Sequence, residues 1–227
     1  LMLDVLINKS SSKLLNKKVH AFIKGYTTED LNCLHKDELD LWESNKRFLR
    51  NGCNWVAGRI TAKYSIIRCL GLDNEDIKLL NIKNRRNGSP YLFNYDNNIR
   101  FSIAHCRGIG FSCSSSKFNS IGCDIEKIKI RHHKFPNFFL CEREKELWLR
   151  ETSYEDIHTL LTIAWSSKEA CYKCLSSYGY NVESVFDIRI HTILFEEKQF
   201  KFSFMNNEGI GYWDKYSDFV LSVAVKL

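Results

Sequence analysis

Between residues 156 and 177 the chain carries one long helical period, and the segments on both sides of it read as strands. Strand patterns lie near 91–94, 99–104, 109–115 and 119–126 before it, and near 185–194, 199–205 and 218–226 after it. Such an order favours an α+β or mixed α/β fold over a doubly wound parallel sheet, where strands and helices alternate singly. A second helix is predicted from Cys53 to Leu70, where Val56, Ile60, Tyr64 and Ile67 recur at three and four and Gly71 follows as a stop. A third is predicted over 141–150, and Thr152-x-x-Glu155 has the spacing of a capping box for the long helix. A strand is predicted at Ile77–Ile82, leading into the turn Asn87-Gly88-Ser89-Pro90, and another near 2–7, followed by an irregular stretch.

Charge divides the chain. Residues 1–113 hold 18 Lys and Arg against 11 Asp and Glu, whereas residues 114–227 hold 15 against 16. A basic half joined to a near-neutral half predicts two domains at that boundary, with a phosphate-bearing partner on the first. The nine cysteines are odd in number and lack paired spacing, which argues against a disulfide framework and for a reducing, cytoplasmic setting. The first residues carry no secretory signal, and no stretch approaches the length of a membrane span.

Chemistry concentrates in two places. In Ile121-Gly122-Cys123-Asp124-Ile125-Glu126, alternate strand residues share a face, so Asp124 and Glu126 project together about 7 Å apart at the backbone. Paired carboxylates suit Mg²⁺, which takes one or two of them alongside waters and substrate phosphates. The plainer alternative is the solvated face of an edge strand beside Lys127 and Lys129. In Trp165-Ser166-Ser167-Lys168-Glu169-Ala170-Cys171-Tyr172-Lys173, the spacing of four puts Trp165, Glu169 and Lys173 on one helical stripe. Glu169 then reads as a general base or metal ligand with Lys173 as a cation for a leaving phosphate, or the two form an ordinary exposed ion pair.

His105 closes the strand Phe101-Ser102-Ile103-Ala104-His105-Cys106 and can donate to a phosphate oxygen, although a structural hydrogen bond is the commoner role. Arg47, Arg50, Arg59, Arg85 and Arg86 supply much of the first half's excess charge, and the arginine fork suits terminal phosphates. Cys171-x-x-Cys174 lies inside a helical pattern without a second pair, so core thiols are expected there rather than a zinc site. No phosphate-loop or dinucleotide glycine signature occurs.

Taken together, Asn87-Gly88-Ser89-Pro90, FSIAHC at 101–106, IGCDIE at 121–126 and WSSKEACYK at 165–173, preceded by WVAGR at 55–59, resemble the 4'-phosphopantetheinyl transferases of the surfactin-synthetase-activating type. Within that family the motifs are most similar to the enterobactin synthetase component D group. The resemblance covers roughly residues 45–178. It implies two similar α+β halves, a pseudo-dimeric fold acting as a monomer, with coenzyme A bound in the cleft between them. It further implies that Asp124, Glu126 and Glu169 hold Mg²⁺ and that Lys173 meets the α-phosphate, with Asp124 also facing the cofactor. Arg50, His105 and the backbone at Ala104 would hold the 3'-phosphate, with Arg85 or Arg86 as further matches. Ser89 stands where members often carry Lys or Arg, and Ala104 where they commonly carry Ser.

The implied reaction moves the phosphopantetheine arm of coenzyme A onto a serine of an apo acyl or peptidyl carrier protein, releasing adenosine 3',5'-bisphosphate. The expected carriers belong to nonribosomal peptide (siderophore) or polyketide synthetases, docked near residues 127–150. Two other classes are weighed against it. A non-catalytic coenzyme A or nucleotide-binding module would not need three carboxylates and Lys173. A nucleic-acid-binding domain would need a dense basic stripe, which is absent, so no nucleic-acid partner is expected.

Overall fold

The computed structural model describes residues 19–45, 52–93, 95, 98–150 and 152–227, and the chain divides into two compact units, Leu1–Asn119 and Ser120–Leu227. The strand expected near 2–7 and Arg50 lie outside the described residues. Both units mix helix with antiparallel sheet, so the fold is α+β.

The first unit contains β1 (His20–Gly25), a 3-10 turn over Thr28–Cys33, α1 (Lys36–Asn45) and α2 (Gly52–Leu70). A second 3-10 turn over Asn74–Leu79 leads to β2 (Asn81–Asn84), β3 (Pro90–Phe93), β4 (Arg100–Cys106) and β5 (Ile109–Ser115). The strand expected over 77–82 is thus corrected to a turn followed by a strand that starts at Asn81. Asp73 and Asp76 cap that turn reciprocally, and Ile77 and Leu80, three apart, both enter the core. The sheet runs β1-β5-β4, and β2-β3 forms a hairpin of its own. Arg107 and Gly108 join β4 to β5 with φ of 50° and 79°, the conformation of a two-residue hairpin turn.

The second unit contains β6 (Ile121–Lys127), a 3-10 turn over Phe135–Phe138, α3 (Glu142–Leu149) and α4 (Ile157–Tyr178). After a 3-10 turn at Val185–Asp187 come β7 (Arg189–Leu194), β8 (Gln199–Phe204), β9 (Asn207–Tyr216) and β10 (Phe219–Lys226), in the order β6-β10-β9-β8-β7. The long helix is capped by Asp156, which accepts from the amides of His158 and Thr159 at 2.9 and 3.2 Å, not by the Thr152-x-x-Glu155 box. Glu155 is taken by Lys215 instead. β9 is an addition to the sequence reading. Its Gly209 and Gly211 interrupt the apolar alternation because the rings of Phe202 and Phe200, their cross-strand partners in β8, lie over them where a Cβ would stand.

Among the described residues each unit therefore repeats one order: strand, 3-10 turn, two helices, 3-10 turn, four strands. Each is also braced by the same buried ion pair. In the first, the Lys63 ammonium on α2 lies 2.6 Å from Glu38 on α1, and Glu38 accepts from the amides of His35 and Ile82 at 3.0 and 3.1 Å. In the second, Lys168 on α4 lies 2.7 Å from Glu144 on α3, which accepts from the amides of Cys141 and Ile190 at 3.1 and 2.8 Å. Both lysines are wholly buried.

Close helix–strand contact sets the second unit's functional face. A Cβ at Gly122 would run into the Ala170 carbonyl oxygen and the Cys174 amide of α4. Gly122→Ala is accordingly expected to destabilise the protein by roughly 1–3 kcal/mol, read as a lowered midpoint in chemical denaturation, because backbone rather than a flexible side chain must give way. Among the described residues no helix is long and apolar enough to cross a membrane.

Candidate active site

With α4 drawn onto β6 at Gly122, the stripe of Trp165, Glu169 and Lys173 faces Asp124 and Glu126. Lys173 Nζ donates to Asp124 Oδ1 at 2.8 Å, and Trp165 Nε1 donates to Glu126 Oε1 at 3.1 Å. Arg131, from the loop after β6, donates to the other oxygen of Glu126 at 3.1 Å. Asp124 is only 6% exposed, so it is no solvated edge carboxylate. Its Oδ2 is buried without a protein partner.

Burial, followed by the Asp124 charge, pushes the Glu169 carboxyl up to about 7; Lys173 opposes this and Glu126 adds to it. Burial works to strip the proton from Lys173, but the charge of Asp124, then Cys123, the Asp124 hydrogen bond and Glu169 outweigh it and raise its pKa. The site thus pairs a poised carboxyl with a firmly protonated ammonium, the two states that proton abstraction and leaving-group stabilisation require.

The donors are all hard oxygens, and the unpartnered Oδ2 of Asp124 together with the mutual repulsion at Glu169 fits a divalent cation such as Mg²⁺. Among the described residues, no three His, Cys, Asp or Glu side chains close around a common point, since Glu126 is engaged by Trp165 and Arg131. One or two carboxylates with phosphate and water oxygens are a sufficient set for Mg²⁺. Cys171 and Cys174 are wholly buried, and burial raises both thiols, Cys174 to about 12. They are core thiols without nucleophilic character.

In the first unit, His105 opens from β4 onto a cavity of roughly 200 Å³ lined by Trp55, Arg59, Asn84, Gly88, Pro90 and Ile103. Gly58 permits this approach: a Cβ there would lie 2.8 Å from Ile103 and 3.4 Å from the His105 ring. The left-handed φ of 83° at Gly88 turns the β2–β3 hairpin so that Pro90 joins the wall. Ala104 is buried, and strand alternation turns its side chain away from His105. Arg85 lies on the same hairpin, donating to the Pro90 carbonyl at 3.2 Å and stacking on Tyr91, and Arg86 is exposed beside it; neither lines the cavity.

Arg59 takes that place. Its guanidinium is held by Glu38 and Asn84, each at 3.3 Å, by the Ile82 carbonyl, and against the Trp55 ring. It also borders a second cavity of roughly 370 Å³ shared with Asp37, Leu41 and Lys83. Sequence reasoning named Arg59 among the arginines suited to phosphates and in the WVAGR stretch, but gave it no place in the site. The signal that could have raised it was its place beside Gly58, where the helix must run close to β4.

Residues 120–224 match the family model described as the 4'-phosphopantetheinyl transferase superfamily. That stretch holds Asp124, Glu126, Glu169 and Lys173. Comparison with curated proteins gives no match.

Proposed function

We propose that the protein is a Mg²⁺-dependent transferase that moves the 4'-phosphopantetheine arm of coenzyme A to a serine of an apo carrier protein. The observation that carries this reading is the meeting of Asp124, Glu126, Glu169 and Lys173 on one face inside the stretch that matches that family. Carriers of nonribosomal peptide (siderophore) or polyketide synthetases are the proposed substrates. A cytoplasmic setting accords with nine cysteines that form no disulfide.

Asp124, Glu126 and Glu169 would hold the cation, which when bound neutralises charge on the pyrophosphate of coenzyme A. Glu169 accepts the proton of the carrier serine as its oxygen attacks the β-phosphate. Lys173, kept protonated by Asp124, stabilises the departing adenosine 3',5'-bisphosphate. No covalent enzyme intermediate is needed, which accords with the inert thiols.

For the nucleotide end, His105 and the cavity around it are the proposed seat of the 3'-phosphate, with Arg59 behind it and Arg50, Arg85 and Arg86 as further cations. His105→Ala is expected to raise the KM for coenzyme A about tenfold, with kcat nearly unchanged, because one charged hydrogen bond common to ground and transition states is lost. A decrease in kcat alone would contradict that role. The reading as a whole is tested by release of adenosine 3',5'-bisphosphate from coenzyme A with an apo carrier present. Release that Asp124→Ala abolishes supports transfer; binding of coenzyme A without release would leave a non-catalytic binding module.

A further inference from the structure

Beneath α4, Asp124 is one of two buried side chains on facing strands whose oxygen lacks a protein partner. β6 and β10 pair antiparallel with Asp124 opposite Ser222, so the two side chains share a sheet face with Cβ atoms about 4.5–5.5 Å apart. Ser222 is 1% exposed, and its hydroxyl, like Asp124 Oδ2, is buried without a protein partner. Ser222 is also the only polar residue in the buried run from Phe219 to Val225. A hydroxyl left unsatisfied in such a strand destabilises the fold where an alanine would not.

The first unit supplies the comparison. Ser112 of β5 occupies the position corresponding to Ser222 and faces Phe22 of β1, which stacks on Tyr64 at 4.8 Å. Tyr64 follows the buried Lys63 as Glu169 follows the buried Lys168. One frame thus carries a stacked aromatic pair in the first unit and a carboxylate pair in the second, each with a serine beneath.

We propose that Ser222 is a positioning residue for the cation site: its hydroxyl donates to Asp124 Oδ2, directly or through one shared water, and fixes the carboxylate while Lys173 holds the other oxygen. The proposal rests on the transferase reading and its cation. A hydrogen-bonded partner of a ligating carboxylate is typically worth 10–100-fold in metal affinity.

The test is a titration of the protein with Mg²⁺ alone, without coenzyme A or carrier, followed by thermal unfolding. Ser222→Ala and the size-conserving Ser222→Cys are expected to need about tenfold more Mg²⁺ for half of the stabilisation seen at saturation. Ser222→Thr, which keeps the hydroxyl, is expected to stay near wild type, and so is Ser112→Ala. In the transfer assay the same Ser222 variants should raise the Mg²⁺ requirement while kcat at saturating Mg²⁺ recovers. A midpoint unchanged in both Ser222→Ala and Ser222→Cys, whatever their melting temperatures, overturns the proposal alone. A wild-type protein whose unfolding ignores Mg²⁺ overturns it together with the cation assignment.

Discussion

Glu169→Gln is expected to abolish pantetheinyl transfer while making the metal-free protein more stable. Glutamine keeps the shape but can neither take the serine proton nor offer a charged oxygen to a cation, so activity should drop on the order of 10³-fold or more. The stability gain follows first from the burial of a charged carboxylate and second from repulsion by its neighbours. Burial and the charges of Asp124 and Glu126 raise the folded-state pKa of Glu169 from 4.5 to about 7, against partial relief from Lys173. A carboxyl raised in this way contributes stability below its unfolded pKa, and that contribution is lost as pH rises through the folded value. With chelator present, the wild type should therefore lose stability between about pH 4.5 and pH 8 relative to the variant, by about 1–2 kcal/mol after discount for the solvent that reaches this partly buried side chain. Parallel melting curves at pH 5 and pH 8 check it. A variant no more stable than wild type at pH 8 would mean that neither burial nor the neighbouring carboxylates destabilise the charged form of Glu169.

Glu38→Ala should have the largest effect on folding. Glu38 is 2% exposed and faces two cations, Lys63 at 2.6 Å and Arg59 at 3.3 Å, while it also accepts two backbone amides. Its removal leaves Lys63 wholly buried without a counter-charge and frees the amides of His35 and Ile82. Breaking a buried pair from one side costs about 3–5 kcal/mol, enough to unfold a marginal domain. Glu38→Leu combined with Lys63→Met should recover only part of that, since it removes the Lys63 charge but still leaves Arg59 without its carboxylate and the amides of His35 and Ile82 unpaired. Urea denaturation of the single and double variants distinguishes the outcomes, and a single variant within 1 kcal/mol of wild type would contradict a bracing role. Glu144 with Lys168 is expected to behave alike in the second unit, with a smaller penalty because its removal strands one buried cation where that of Glu38 strands two.

The helices at Gly52–Leu70 and Ile157–Tyr178 were legible because apolar period, glycine stop and length agreed. β1 and α1 were not, since α1 offers only Leu39, Leu41 and Trp42 as apolar residues and is anchored by a buried glutamate that reads as surface charge. β9 escaped for the opposite reason: its glycines look like turn residues until the Phe200 and Phe202 rings are placed over them. At the site, the two-residue and four-residue periods were enough to gather Asp124, Glu126, Glu169 and Lys173. The buried role of Lys168, adjacent to Glu169, was hidden because a lysine beside a glutamate in a helix reads as solvated. The duplication was equally hidden. It is written in element order and in the paired Lys–Glu braces, whose trace in the sequence is only the short Glu-x-acid-Leu-Trp pattern at 38–42 and 144–148.

The central claim is tested most directly by incubating the protein with coenzyme A, Mg²⁺ and a panel of apo carrier proteins and reading the intact mass of each carrier. Transfer predicts that at least one carrier gains the mass of a single phosphopantetheine arm, that a carrier with its acceptor serine changed to alanine gains nothing, and that chelation of Mg²⁺ stops the gain. A panel drawn from peptide, polyketide and fatty-acid synthases that stays unmodified, while the protein is folded and binds coenzyme A, would contradict the assignment.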